Sequence, residues 1–235
     1  MKTVGIMQPY FLPYLGYFHL ISSVDLFVIY DDIQHTKKGW INRNRLMFNG
    51  SIEYVSIPLV KDSDSLNVNQ RVISPSWEKE KNKILRKLKQ SYSKRNNFER
   101  GIFLSEEILN YNDTNLFNYI HHSVKLICRF LGIKTEIVVS SSLGDFSEYK
   151  GKNKVIEICK STNADRYVNA MGGMSLYDTD EFGDVGLELK FVKSLLKPYN
   201  QNKDIFEPGL SILDIIFSIS DEASLLQQLQ NYELI

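Results

Sequence analysis

Apolar residues along the chain fall into short, dense runs separated by amphipathic stretches. Residues 3–7 (Thr-Val-Gly-Ile-Met) and 24–30 (Val-Asp-Leu-Phe-Val-Ile-Tyr) have the apolar density of strands buried on both faces of a parallel sheet. Between them, Pro13 suits a first helical turn, and residues 14–22 carry apolar side chains at 14, 15, 17, 18, 20 and 21. Strand, helix and strand make a βαβ unit. Residues 51–59 predict another strand, closed by Pro58, while 35–45 and 61–70 read as polar loops. The middle third is helical: Trp77, Ile84, Leu85, Leu88 and Tyr92 share one face, and residues 97–110 and 115–131 continue the pattern. Asn115 or Thr114 is placed to cap the last of these helices and Gly132 to stop it. Strands are expected at 136–140, 165–170 and 185–192, with helices at 153–161, 210–219 and 221–231. This order predicts an α/β fold in one domain, residues 1–235: a parallel Rossmann-like sheet with a central helical segment at 76–132.

Charge narrows the function classes. Lys plus Arg is 28 and Asp plus Glu is 28, a balance that argues against a dedicated nucleic-acid-coating protein. One local excess stands out: between Trp77 and Arg95, eight cations oppose only Glu78 and Glu80. That stretch is either a docking face for an acidic carrier protein, tRNA or nucleotide diphosphate, or a solvated helix face. Cys128 and Cys159 stand alone in apolar helical patterns and read as buried thiols of a reducing compartment. The first residues lack the pattern of a signal peptide, and no run of about 18 apolar residues occurs, so a cytoplasmic protein without a membrane partner is expected. No Cys/His set has zinc spacing, and His121 and His122 point about 100° apart on a helix, so neither metal nor cofactor is expected.

Three clusters carry candidate chemistry. The first is Gln8-Pro-Tyr10-Phe-Leu-Pro-Tyr14-Leu-Gly16-Tyr17, a stiff loop over a sheet edge whose glycine admits a close backbone approach. Its placement resembles the nucleotidylyltransferase superfamily, in which a His-x-Gly-His motif at the first helix grips phosphates. Here Tyr14 and Tyr17 replace both histidines, and a phenol donates a hydrogen bond without a charge. The resemblance implies phosphate-binding architecture rather than nucleotidyl transfer.

The second cluster is Asp31, Asp32 and His35, followed by Asn42-Arg43-Asn44-Arg45. The acids close a predicted strand, at the edge where open α/β sheets bind ligands. Asp31, Asp32 or His35 suits a general base, the arginines a phosphate or carboxylate clamp, and the amides sugar hydroxyls. Ion pairs in a solvated loop are the alternative. On a strand, 43 and 45 would share one face and 42 and 44 the other. In the third cluster, Gly172 and Gly173 follow a strand and either wrap an anion or make a tight turn, with Tyr177 nearby. Tyr199 and Gln201 flank a later turn and are expected to complete a sugar pocket, whereas Asp214 reads as a local hydrogen-bond partner.

Together these blocks resemble the WbqC-like family. The resemblance runs through Gln8 to Tyr17, Asp25 to Asp32, Trp40 to Arg45, Trp77 to Tyr92, Asp165 to Tyr177, and Tyr199 through Asp214. It implies a role in bacterial O-antigen and other surface-polysaccharide synthesis. The implied reaction is transfer of an acyl or aminoacyl group, such as glycyl, to the amine of a nucleotide-linked deoxyamino sugar. The implied partners are that nucleotide sugar and an acyl or aminoacyl carrier. A non-catalytic nucleotide-sugar-binding subunit is the alternative.

Overall fold

In the computed structural model, which describes residues 1–235, the chain runs β1 (Thr3–Met7), α1 (Leu15–Ser22), β2 (Leu26–Ile29), β3 (Arg43–Phe48), β4 (Ser51–Ser56). The helices α2 (Trp77–Tyr92), α3 (Phe98–Leu109) and α4 (Leu116–Phe130) follow. The last third comprises β5 (Glu136–Val139), α5 (Gly151–Ser161), β6 (Arg166–Ala170), α6 (Thr179–Gly183), β7 (Glu188–Ser194), α7 (Ile212–Ser218), α8 (Glu222–Gln230) and β8 (Tyr232–Leu234).

Six strands form one Rossmann-like sheet in the order β5-β2-β1-β6-β7-β8, parallel except for β8. The sheet grows outward from β1 in both directions. The strand order therefore reverses between β1 and β6, the switch point at which such sheets bind ligands.

Side chains alternate across this sheet with the period of two that a pleated strand imposes. Val4, Ile6, Leu26, Val28, Tyr167, Leu189 and Phe191 pack on one side with Val155 and Ile158 of α5 and Phe182 of α6. Phe27, Ile29, Val168 and Val192 join the larger core on the other side, with α1 and the central helices. Burial on both faces is why β1 and β2 read as unbroken apolar runs.

The long connection from β2 to β5 holds the helical segment and an antiparallel hairpin of β3 and β4. The hairpin corrects the expectation that residues 43–45 lie in a loop. Asn49 and Gly50, both at positive φ (50° and 80°), make the Asn-Gly turn that matches the twist of paired strands. Strand β8 was also absent from the predicted elements. Asn115 caps α4 by accepting from the Asn118 amide, and burial pushes the thiols of Cys128 and Cys159 up to about 12. No helix is long and apolar enough to cross a membrane.

Candidate functional site

A cavity of about 510 Å³ opens beyond the carboxyl ends of β1 and β6. Ile6 and Met7 from β1, with Gln8 just after it, meet Asn169 and Ala170 from β6 along its floor. Tyr10, Tyr14 and Tyr17 come from the loop and helix after β1, and Tyr30 from the end of β2. Gly172, Gly173, Leu176 and Tyr177 come from the 3-10 turn Met171–Leu176 and the residue after it. Leu20 of α1, Trp40, Asn44 and Gly209 complete the lining.

Backbone bonds stitch these distant stretches together. Phe11 N donates to Ile41 O at 2.9 Å, Ser211 N to Arg45 O at 2.9 Å, and Ile212 N to Pro13 O at 2.8 Å. Tyr14 and Ser211 form an antiparallel bridge, and Asn44 Nδ2 donates to Phe11 O at 3.1 Å. Leu12, wholly buried, takes φ of 47°, a conformation that a non-glycine residue keeps only where its surroundings impose it. Tyr17 Oη donates to Gln8 O at 3.0 Å, fixing the strand-to-loop corner. Burial raises the phenols of Tyr10, Tyr14, Tyr30 and Tyr177 above their ordinary value, so they stay protonated donors.

Asp31, Asp32 and His35 line no part of this cavity. Asp31 is buried and accepts from Ser141 N (3.1 Å), Ser141 Oγ (2.7 Å) and Asn69 Nδ2 (2.9 Å). Burial pushes its carboxyl up, but bonds from Ser141, Asn69 and Ser140 outweigh this and hold it below the usual range. Asp32 pairs with Lys154 at 2.6 Å. Ser140 Oγ stands 2.9 Å from Asp31 and 2.6 Å from Asp32, with one proton to serve both carboxylates. His35 Nε2 donates to Asn42 Oδ1 at 3.2 Å, while Asn42 Nδ2 donates to Ile57 O. Burial lowers the His35 imidazole below its ordinary value. These groups are engaged in holding loops and stand apart from the cavity that gathers the first and third clusters.

The arginines follow strand alternation. Arg43 and Arg45 both lie against Trp40, with guanidinium carbons 6.0 and 5.8 Å from the ring centre, while Asn44 faces the cavity. Arg43 is tied to the carbonyls of Gly39 and Lys38. Arg45 reaches Gly209 O on the cavity wall at 3.4 Å and Glu207 at 3.6 Å. Tyr199 and Gln201 do not line the cavity: Tyr199 Oη (2.6 Å) and Gln201 Nε2 (3.2 Å) donate to Asp214, which also accepts from Tyr92 Oη (2.7 Å). The basic helix is largely tied up, since Lys81, Lys83, Lys87 and Lys89 pair with Glu78, Glu80, Glu53 and Glu106. Arg95 donates to the carbonyls of Asn200 and Gln201.

The structure thus gathers Gln8, Tyr10, Tyr14, Tyr17, Asn44, Gly172, Gly173 and Tyr177 around one space, with Arg45 at its rim. Gly16 lies just behind Tyr14. The readings above missed Trp40, Tyr30, Asn169 and Gly209. All four lie inside the blocks that carry the family resemblance, Trp40 opening the one that runs to Arg45, and that membership was their signal.

Fold and site define a Rossmann-like α/β protein with an aromatic-lined cavity at its topological switch point. The chain matches the model of the WbqC-like protein family over residues 8–225 and belongs to that family. It is 32% identical over 228 residues to the uncharacterized protein Rv1507c of Mycobacterium tuberculosis, a match covering 95% of this chain and 96% of that protein. No solved structure matches it.

Proposed function

We propose that this protein binds a nucleotide-linked deoxyamino sugar in the switch-point cavity. There it acts as a transferase of surface-polysaccharide (O-antigen) precursor synthesis, moving an acyl or aminoacyl group of glycyl type onto the sugar amine. The chemistry of the lining carries this reading: tyrosine hydroxyls and amide side chains without a carboxylate. Hydroxyls of a sugar match these donors and acceptors, and Arg45 at the rim suits a diphosphate. An ammonium entering such a lining loses water and gains no counter-charge, so burial favours the neutral amine. The neutral amine attacks the activated carbonyl, the bond from that carbon to the donor's carrier breaks, and the carrier leaves with the proton that the amine gives up. Protonated Tyr10 and Tyr14 supply donors for the tetrahedral oxyanion, and holding amine and acyl donor together supplies much of the acceleration.

The second reading is a nucleotide-sugar-binding subunit that serves a separate transferase. It is favoured by the position of Asp31, Asp32 and His35 outside the lining. Thermal-shift screening against nucleotide sugars, followed by mass spectrometry with acyl-CoA, aminoacyl and carrier-linked donors, separates the two. Transfer requires a raised melting temperature with a nucleotide-linked amino sugar and an N-acylated product. Binding without product, with every donor class tried, assigns the accessory role. No shift with any nucleotide sugar refutes both.

A further inference from the structure

At the mouth of the cavity lies an aromatic surface that the chemistry above leaves unused. Trp40, 37% exposed, lines the cavity and stacks on Tyr54, with ring centroids 6.1 Å apart and planes 22° apart. The Arg43 guanidinium carbon stands 5.0 Å from the Tyr54 ring centre and is fixed by two backbone carbonyls, so it braces this stack. Arg45 is held loosely. Its contacts with Pro208 O and Gly209 O are both 3.4 Å, its nearest Glu207 oxygen is 3.6 Å away, and its Nε is buried without a hydrogen-bond partner. A braced, partly open indole beside a guanidinium whose terminal nitrogens make only long contacts suits a flat ring followed by a phosphate.

The same placement fixes a direction. Arg43 and Arg45 flank the rim at Trp40, whereas the floor at Met7, Gln8 and Asn169 carries no charge. A ligand whose phosphates stop level with Arg45 sends its sugar to the floor and leaves its base outside, at the indole.

We infer that Trp40 is the shelf on which the nucleobase of the bound nucleotide stacks, with Arg45 turned onto the adjoining diphosphate. Trp40, rather than Arg45 or the cavity floor, then distinguishes a nucleotide-linked sugar from the bare sugar phosphate. The inference rests on the nucleotide-sugar reading and adds to it an orientation and a handle.

Calorimetric titration with a nucleoside-diphosphate sugar and with the matching sugar 1-phosphate tests it. Trp40→Ala is expected to weaken the nucleotide sugar by about 5- to 150-fold, the range of base–aromatic stacking, and to spare the sugar 1-phosphate. Trp40→Phe keeps most of the affinity for both, and Arg45→Ala weakens both. Fluorescence gives an independent reading, because the second tryptophan, Trp77, is buried. Quenching on addition of the nucleotide sugar is expected in the unaltered protein and absent in Trp40→Phe. Equal loss of both ligands in Trp40→Ala would place the sugar ring on the indole and overturn the inference. Binding indifferent to Trp40, without quenching, overturns it as well while leaving the parent reading intact. If the unaltered protein binds neither ligand, both fall.

Discussion

The phenol ring of Tyr14 folds back over the α-carbon of Gly16, so closely that a β-carbon at position 16 would lie 2.3 Å from Tyr14 Cε2. On its other side the same carbon would stand 2.8 Å from Ser194 Oγ, which is bonded to His19 Nδ1 at 2.9 Å. The glycine is thus a packing requirement that sets where a cavity wall stands. Gly16→Ala must swing the Tyr14 ring into the cavity or break the Ser194–His19 contact. We expect a loss of about 1–3 kcal/mol, the usual cost of overpacking, and loss of ligand binding. Adding Tyr14→Ala should recover part of the stability but not the binding, a non-additivity that urea titration of the double-mutant cycle reads directly.

The doubly buried sheet was legible because β1 and β2 are apolar on both faces. Gln8, Tyr10 and Tyr14 stood out in the sequence as part of a loop stiffened by prolines after the first strand, and they line the cavity. Asp31 and Asp32 drew attention as acids at the carboxyl end of a strand. They stand at the end of β2, one strand away from the switch point, where serines of the 140–142 turn and Lys154 engage them. These partners are more than 100 residues distant in sequence, and no local pattern announces them. Arg43 and Arg45 were placed in a loop although the Asn49-Gly50 turn that makes them strand residues was visible in the sequence. Tyr199 and Gln201 were drawn toward a sugar pocket, but Asp214, buried in the helix that follows, recruits them first.

Asp31 is expected to act on stability rather than on proton transfer. Its carboxyl is held below the ordinary 3.8, so the folded state binds its proton less tightly than the unfolded state does. Its contribution is therefore complete well above pH 3.8 and disappears as pH falls below that value through the lower folded pKa. Asp31→Asn should lower stability at pH 7 by about 1.5–3 kcal/mol, the scale of hydrogen bonds to a charged group. The gap from the unaltered protein should narrow in denaturant titrations taken toward pH 3. An Asp31→Asn protein of full stability that has lost transferase turnover would restore the carboxylate as a base.

Gly172 and Gly173 differ sharply although they are adjacent. A β-carbon at 172 meets nothing within 4 Å, whereas one at 173 would lie 2.5 Å from Asn169 Nδ2. Asn169 is buried on the cavity floor, and its Oδ1 accepts from Ala170 N at 2.7 Å, so its amide has little room to retreat. Gly172→Ala should leave the melting temperature unchanged. Gly173→Ala should reduce affinity about tenfold or more, as the loss of a well-placed polar contact implies. Equal effects at the two positions would mean that the turn acts through its flexibility instead of through Asn169.

Asp214, wholly buried, has no cation beside it and is satisfied by neutral donors from Tyr92, Tyr199 and Gln201. Gln201 also donates to Glu207 O and accepts from Glu207 N, so the carboxylate anchors the segment that brings Glu207 and Gly209 to the cavity rim. Tyr199→Phe removes one of the donors to this carboxylate. It should lower the midpoint of urea unfolding by the equivalent of about 1.5–3 kcal/mol, with the slope unchanged. Because the Tyr199 ring does not line the cavity, nucleotide-sugar affinity should stay as it was. A variant that unfolds at the original midpoint but binds the sugar poorly would instead return Tyr199 to the sugar pocket that the sequence suggested.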